Sequence, residues 1–407
     1  MNTNTATPTV IYRHRYVITD VTMTAGKAYT IDPDHIGSIQ FQYDYLNRRL
    51  PVIKLSVSLT EAEAKALYDN LDTAKISIEI LDKYLDSNDD VINSKIFVHD
   101  TFDIIPATGA DEYTGDAASE FDTTDPLYNI MSLYLVKNER IQWLDKEIAT
   151  IFSKTDKAGA LVSLFSMRGI PSKTCIITPP KTNSTIDRLV LPLGNLVENV
   201  DTINKQYGLW SSSAIIFDDY TYIYCIDRNN PNIILPRATD YDTVMFMVPS
   251  SDNENLVATG SSDDNKNRCH YVNLPISPSI EDNSNTTTKT EFGTIASIDS
   301  NGTVTKTTVD QNSPKMKFVR SRNDLTVSQY LNDQISSPIT VNLTVTDESA
   351  SIFKPYKIYR FKVEETNSMY ETLNGKVFRL AFVSTTLKKK SDYFEPYTVA
   401  NLSVVDS

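Results

Sequence analysis

Glycine, histidine and cysteine are all scarce in this sequence. Twelve Gly are spread over 407 residues. A phosphate-cradling loop needs several glycines close together, so nucleotide loops of that kind are not expected. Four His and three Cys leave few metal ligands and few partners for a nucleophile. Cys175, Cys225 and Cys269 are odd in number, widely spaced and without a C-x-x-C pair. That pattern reads as free thiols in a reducing compartment, not as a disulfide framework. No stretch approaches the roughly 18 uninterrupted apolar residues of a membrane-spanning helix. The opening residues lack the basic and apolar regions of a secretory signal. The expectation is a chain made and assembled in a cytoplasm.

Positive charge is also in short supply. Thirty-nine Lys and Arg against 52 Asp and Glu give a net charge of −13. Such a surface repels phosphates, so a role in gripping DNA or RNA is not expected, although DNA could slide past it. What the chain has in quantity is aromatic residues. Twenty-two Tyr and fifteen Phe mark a folded protein and not a solvated tail. At roughly 150 residues per domain, the length predicts two to three domains.

The first hundred residues read mostly as strand. Ile53, Leu55, Val57 and Leu59 alternate with Lys54, Ser56 and Ser58, the period of a half-buried strand. Thr60 followed by Glu63 forms a capping box, and Ala64, Leu67, Tyr68 and Leu71 continue it as a short amphipathic helix. Alternation resumes at Ile76, Ile78 and Ile80. A sheet with one helix over residues 1–106 predicts a small β-barrel. Residues 107–126 are polar and acidic and read as a linker. Residues 127–249 mix helix and strand as a central α+β domain. Asp156 caps a helix that stops at Gly169. A second helix runs over 195–207, with Gly208 as its left-handed cap. A hairpin then turns near Asp218-Asp219. Residues 250–315 read as a loop-rich β insertion with a turn at Ser300-Asn301-Gly302.

Residues 316–407 repeat the opening grammar as a second small barrel. A helix over 326–335 precedes strict alternation at Ile339, Val341, Leu343 and Val345, and Asn374-Gly375 marks a hairpin. A helix followed by an alternating strand therefore occurs near both ends, a weak internal duplication. The predicted class is mainly β with an α+β insertion: two small β-barrels, each with one helix, around a central α+β domain.

Candidate chemistry is sparse. Cys269 and His270 are neighbours on a strand, so their side chains point to opposite faces and do not make a nucleophile–base pair. His14, His35 and His99 lack partners at metal-ligand spacing. Asp218 and Asp219 form a carboxylate pair, but adjacent acids at a hairpin tip are expected to diverge into water. No catalytic, cofactor-binding or metal-ligating residue is assigned, and no cofactor is expected. Lys388, Lys389 and Lys390 form the only basic run and are candidates for a protein contact in an acidic chain. Trp210, which follows the cap Gly208, is a candidate interface residue with partial exposure.

At residues 146–228 the order of elements resembles a known family. A strand ends in Leu191-Pro192. A helix ends in Tyr207-Gly208, with Trp210 behind it. The next strand carries Phe217-Asp218, and a Tyr-rich return carries Tyr222 and Tyr224. This resembles the central domain of the baseplate hub proteins of contractile-tailed bacteriophages. The segment FKPYKIYRFKV resembles their second barrel. The resemblance implies a non-enzymatic virion protein of the tail baseplate. It implies a homotrimer whose six barrels form a pseudo-sixfold ring between a hexameric tail tube protein and a trimeric central spike protein, with DNA passing through unbound. The tape measure protein is a further candidate partner. Two rival readings stand beside it: a tail-tip adhesin binding host glycans through Tyr- and Asn-rich loops, and a tail-associated cell-wall hydrolase. The hydrolase needs converging carboxylates or a Cys–His pair in a cleft.

Overall fold

The computed structural model describes residues 13–86, 88–106, 128–228, 243–248, 260–264, 267–282, 293–299, 301–320, 325–334, 339–363 and 370–405. The 107–126 linker and the Ser/Asn/Thr-rich loop at 283–290 lie outside them.

The first region runs β1 (Arg13–Ala25), β2 (Lys27–Thr30), β3 (Ile36–Asp44), β4 (Val52–Thr60), α1 (Glu61–Asp69), β5 (Lys75–Leu85), β6 (Val91–Pro106) and β7 (Tyr128–Val136). Ile53, Leu55, Val57 and Leu59 of β4 all face the core, as their alternation requires. The capping box is formed. Thr60 Oγ1 accepts from the Glu63 N–H at 3.3 Å, and the Glu63 carboxylate accepts from the Thr60 N–H at 2.8 Å. Only Ala64 and Leu67 of α1 are buried, while Tyr68 and Leu71 stay exposed. Tyr68 falls on the outer face of the helix, and the helix ends at Asp69, before Leu71.

The central region runs α2 (Asn138–Asp145), β8 (Ile148–Asp156), α3 (Lys157–Met167), β9 (Cys175–Ile177), β10 (Thr185–Gly194), α4 (Leu196–Tyr207), β11 (Ala214–Asp218) and β12 (Ile223–Asp227). Asp156 accepts from the Gly159 N–H to cap α3. Asn195 and Glu198 make the capping box of α4, and Gly208 ends it at φ +71°. The αL conformation costs Gly nothing and turns the chain back under the helix. Leu161, Leu164, Phe165, Leu189, Leu196, Val200 and Trp210 share one core.

The rest runs β13 (Thr243–Val248), β14 (Gly260–Asp264), β15 (Asn267–Asn273), β16 (Ser279–Asp282), β17 (Thr294–Ile298), β18 (Val304–Thr308), β19 (Met316–Arg320), α5 (Thr326–Gln334), β20 (Ile339–Thr346), β21 (Ile358–Val363), β22 (Phe378–Lys390) and β23 (Tyr393–Val404). Strands β17 and β18 pair as a hairpin across the turn predicted around Asn301-Gly302. It gains β19 in parallel alongside β17.

The long hairpin β22–β23 organises both β lobes. Its outer half, toward the Ser391-Asp392 turn, lies between β3 and β1. There it closes an eight-stranded ring in the order β22-β3-β4-β7-β6-β5-β1-β23. Its inner half lies between β21 and β20, the root of a second lobe that continues through β13, β15 and β14 on one side and β16 on the other. A register shift between Leu380 and Phe382 marks the changeover, and the skipped Ala381 offers its carbonyl to the Tyr45 N–H at 3.0 Å. A β-bulge of this kind bends and twists a strand, which lets one hairpin serve two cores. Leu387 and Phe394 pack in the barrel core. Phe378, Leu380, Val383, Ala400 and Leu402 pack in the second.

The fold class is therefore β-rich with few helices, as the patterning predicts, but the two lobes are not sequentially separate. The barrel takes β7 from the segment assigned to the central region and two strands from the last thirty residues. β13, also assigned to the central region, pairs with β15 and β21 in the second lobe. Asn374-Gly375 is not the tight turn of a hairpin. β21 and β22 touch at a single antiparallel pair, Tyr359 with Phe378, and Asn374 bridges to Phe361. Gly375 does take the left-handed conformation, at φ +77°.

Candidate functional site

The tip of the β11–β12 hairpin sits where the barrel, the central region and the second lobe meet. Asp218 accepts from the Tyr220 N–H at 2.7 Å and pairs with Arg140 of α2 at 3.4 Å. Arg140 also donates to the Tyr220 carbonyl at 3.0 Å. Tyr220 adopts φ +68°, and its ring packs on Phe102 in the barrel core, 6.0 Å between centroids. Asp219 accepts from the N–H groups of Thr221 and Tyr222, from the Tyr224 hydroxyl at 2.7 Å and from Lys354 Nζ at 3.1 Å. Lys354 belongs to the loop before β21.

The expectation that these two acids point into water is overturned: Asp218 is 0% and Asp219 6% exposed. Buried charge is tolerated only when paired and hydrogen-bonded, and each acid has its own cation. Burial pushes the Asp218 carboxyl up to about 7, against the pull of Arg140 and the Tyr220 N–H. Burial acts the same way on Asp219, but Lys354 and the donors from Tyr222 and Tyr224 outweigh it and hold it below the ordinary range. The pair is a joint between lobes, its oxygens already engaged from inside.

Trp210, predicted to be partly exposed, is fully buried. Its Nε1–H reaches the carbonyls of Thr178 and Pro179, each at 3.2 Å. Its own N–H donates to Asn204 Oδ1, and its carbonyl accepts from Gln329 of α5. The αL turn at Gly208 folds the indole under α4, so Trp210 builds the core and ties α4 to α5. The lysine run lies at the outer end of β22. Lys389 donates to the Asp34 carbonyl at 2.7 Å and its carboxylate at 2.9 Å, and Lys390 lies 3.7 Å from Glu395. Lys388 is exposed and holds no ion pair among the described residues.

Cys269 is buried, and His270 beside it on β15 turns to the other face, 3.4 Å from Glu348. The two do not form a nucleophile–base pair. Burial pushes the Cys175 thiol up to about 11 and that of Cys225 further, away from thiolate chemistry. None of the three cysteines is in a disulfide.

A buried polar cluster that the sequence did not announce joins the two lobes. His14 of β1 places Nδ1 2.8 Å from Asp82 of β5 and Nε2 3.3 Å from Glu348, which follows β20. Ser349 donates its hydroxyl to Asp82 at 2.7 Å and its N–H to Glu348 at 2.9 Å. The Ala350 N–H donates to the Tyr16 hydroxyl at 2.9 Å. Residues 14, 82 and 348 meet across β23, which β1 and β20 flank, and His270 reaches Glu348 from β15, a strand on the other side of the shared hairpin. No local pattern could have found them.

Among the described residues, no helix is long and apolar enough to cross a membrane. No curated protein sequence matches the chain. Among solved structures, the tail protein from Neisseria meningitidis MC58 superposes with a TM-score of 0.51 at 10% identity, over 97% of this chain and 96% of that one. The prophage MuSo2 43 kDa tail protein from Shewanella oneidensis gives 0.47 at 9% identity, over 95% and 98%. The E. coli c3393 protein, described as a component of the type VI secretion system, gives 0.42 at 6% identity, over 89% and 73%. The first of these carries the fold, which this chain shares with that tail protein, in agreement with the hub-like resemblance read from residues 146–228. A family model described as Bacteriophage PBS1 gene 109 protein matches residues 9–395. With nearly its whole length matched in this way, the chain belongs to the Bacteriophage PBS1 gene 109 protein family.

Proposed function

We propose that the chain is a structural component of a phage tail, the hub of the baseplate, and that it works as a homotrimer. The observation that carries this is the hairpin β22–β23, built at one end into a closed barrel and at the other into a second β lobe. Each chain thus presents two β modules at a fixed spacing. Three chains around an axis present six, a geometry that meets a sixfold tail tube on one face and a threefold spike on the other. The tape measure protein would meet the same ring. The net charge of −13 suits a bore through which DNA moves without sticking. The domain limits 1–106, 127–249, 250–315 and 316–407 are kept as a guide to sequence segments, since the barrel draws on three of them.

The test is a reconstruction of the tail end of the particle. Three copies around a central bore, with both lobes of each copy in one ring, would support the reading. One or six copies, or lobes at different heights, would overturn it. Light scattering combined with a muralytic assay separates the hub from the glycan-binding and wall-hydrolase alternatives. Cleavage of cell wall by the purified chain would sink the structural role.

A further inference from the structure

We infer that His14 is a proton-held clasp between the two β lobes, and that the joint it closes opens as the proton leaves. The argument starts from the ring itself. Both nitrogens face a carboxylate oxygen, Nδ1 toward Asp82 and Nε2 toward Glu348. A neutral imidazole has one N–H and one lone pair, so it can satisfy only one of these acceptors and presents its lone pair to the other. Only the doubly protonated ring keeps its hydrogen bond to Asp82 while turning a second N–H and its charge toward Glu348. Asp82 lies in the barrel, and Glu348 leads from β20 toward β21 in the second lobe. The proton that makes the ring bivalent is therefore the one that bridges the lobes.

The groups facing His14 from the other elements agree with this. His270 of β15 approaches Glu348 from the far side, at 3.4 Å. Among the described residues, Lys95 of β6 is the cation working against the imidazolium, and its ammonium is drawn 4.9 Å over the Tyr84 ring. Tyr84 itself meets the His14 ring edge-on at 4.4 Å. Tyr16 turns its hydroxyl to the Ala350 N–H and not to the ring. Ser349, which donates to Asp82 and Glu348, has no proton to lose in the neutral range, so within the span from Asp82 to Glu348 the His14 proton is the variable member. Burial alone would strip that proton, but the Asp82 hydrogen bond and the charges of Glu348 and Asp82 outweigh it, and His14 stays protonated above its ordinary 6.5. A histidine raised on folding contributes stability that is complete below about 6.5 and is lost as pH rises through the folded value. Losing it leaves two buried carboxylates sharing one N–H fewer.

The segment that moves is set by the anchors. The His14 N–H also holds the Asp347 carbonyl at 3.1 Å, where the backbone turns through φ +59°. Residues 347–352 lie outside any strand ladder and are tied to the barrel through this cluster, whereas β4 and β5 are held by ladders on both sides. Alkaline loosening should start at the joint and spare the barrel wall.

The experiment is hydrogen exchange on the full-length chain at pH 6 and pH 9, with rates corrected for intrinsic exchange. Amides of residues 348–352 should lose several-fold more protection than those of β4. His14→Gln, which carries no titratable proton and no charge, should abolish that difference. Wild-type protein labelled on histidine carbon gives a reading that needs no buried substitution. The His14 ring should titrate above 6.5, assigned by elimination with His35→Gln, His99→Gln and His270→Gln. A His14 ring that titrates at or below 6.5, exchange that rises equally in β4, or a pH dependence unchanged in His14→Gln would each overturn the clasp.

Discussion

Lys354, just before β21, reaches into the central hairpin and donates to Asp219 Oδ2 at 3.1 Å. The two residues lie 135 apart in sequence, and the bond ties the second lobe to the hairpin that also touches the barrel. Lys354→Met should leave Asp219 buried without its cation, at a cost of about 3 kcal/mol. Urea titration of the full chain measures it. The double variant Lys354→Met/Asp219→Leu should recover part of the loss, since the stranded charge is then gone.

Asp219 also makes an acid-side prediction. Its carboxyl is held below the ordinary value of 3.8. A depressed acid contributes stability that is present above 3.8 and is lost as pH falls through the folded value. Asp219→Asn should therefore lower the melting temperature at pH 6 while flattening its fall below pH 4. A variant as steep as wild type in that range would show that other carboxylates set the acid limit.

Trp210→Ala should cost about 3–5 kcal/mol, the range for emptying an aromatic site in a core. Trp210→Phe keeps most of the volume but leaves the carbonyls of Thr178 and Pro179 without their shared donor, so it should cost less, about 1–3 kcal/mol. Denaturant midpoints of the two variants give the comparison. Equal and negligible losses would contradict the packing described.

Lys388→Glu should leave stability within about 0.5 kcal/mol, as exposed substitutions away from partners do. If the outer end of β22 meets another protein, the same change should impair assembly of the chain into tails. Normal assembly with this variant would remove Lys388 from the contact surface.

Removing the hydroxyl of Thr60 should cost about 1 kcal/mol, because Thr60 Oγ1 is the acceptor that caps α1. Circular dichroism with thermal melting is sufficient to read it, and Thr60→Ser should restore most of the loss.

Local chemistry was legible in the sequence. Thr60 with Glu63, Asp156, and Gly208 after Tyr207 fix helix ends within a few residues of themselves, and each is found where its pattern places it. The strict alternation at Ile339, Val341, Leu343 and Val345 yields the buried face of β20. Partnership between distant segments was not legible. The Asp218-Asp219 pair looks like a solvated turn until Arg140 and Lys354 arrive from other elements. Trp210 looks exposed beside a glycine and a serine run until α5 covers it through Gln329. The double service of β22 and β23 leaves one trace in the sequence, strands of 13 and 12 residues where most others are shorter. Their length says only that something long is being spanned, not what.

The shared hairpin also sets a timetable for biosynthesis. The barrel that begins at Arg13 cannot close until a ribosome has delivered β22 and β23, several hundred residues later. The earliest strands must wait with open edges, vulnerable to pairing with the wrong neighbour. Such distant pairing folds slowly. A nascent chain stalled before Phe378 would lack the seam of both lobes at once, so losing the last thirty residues should ruin the first hundred as thoroughly as their immediate surroundings.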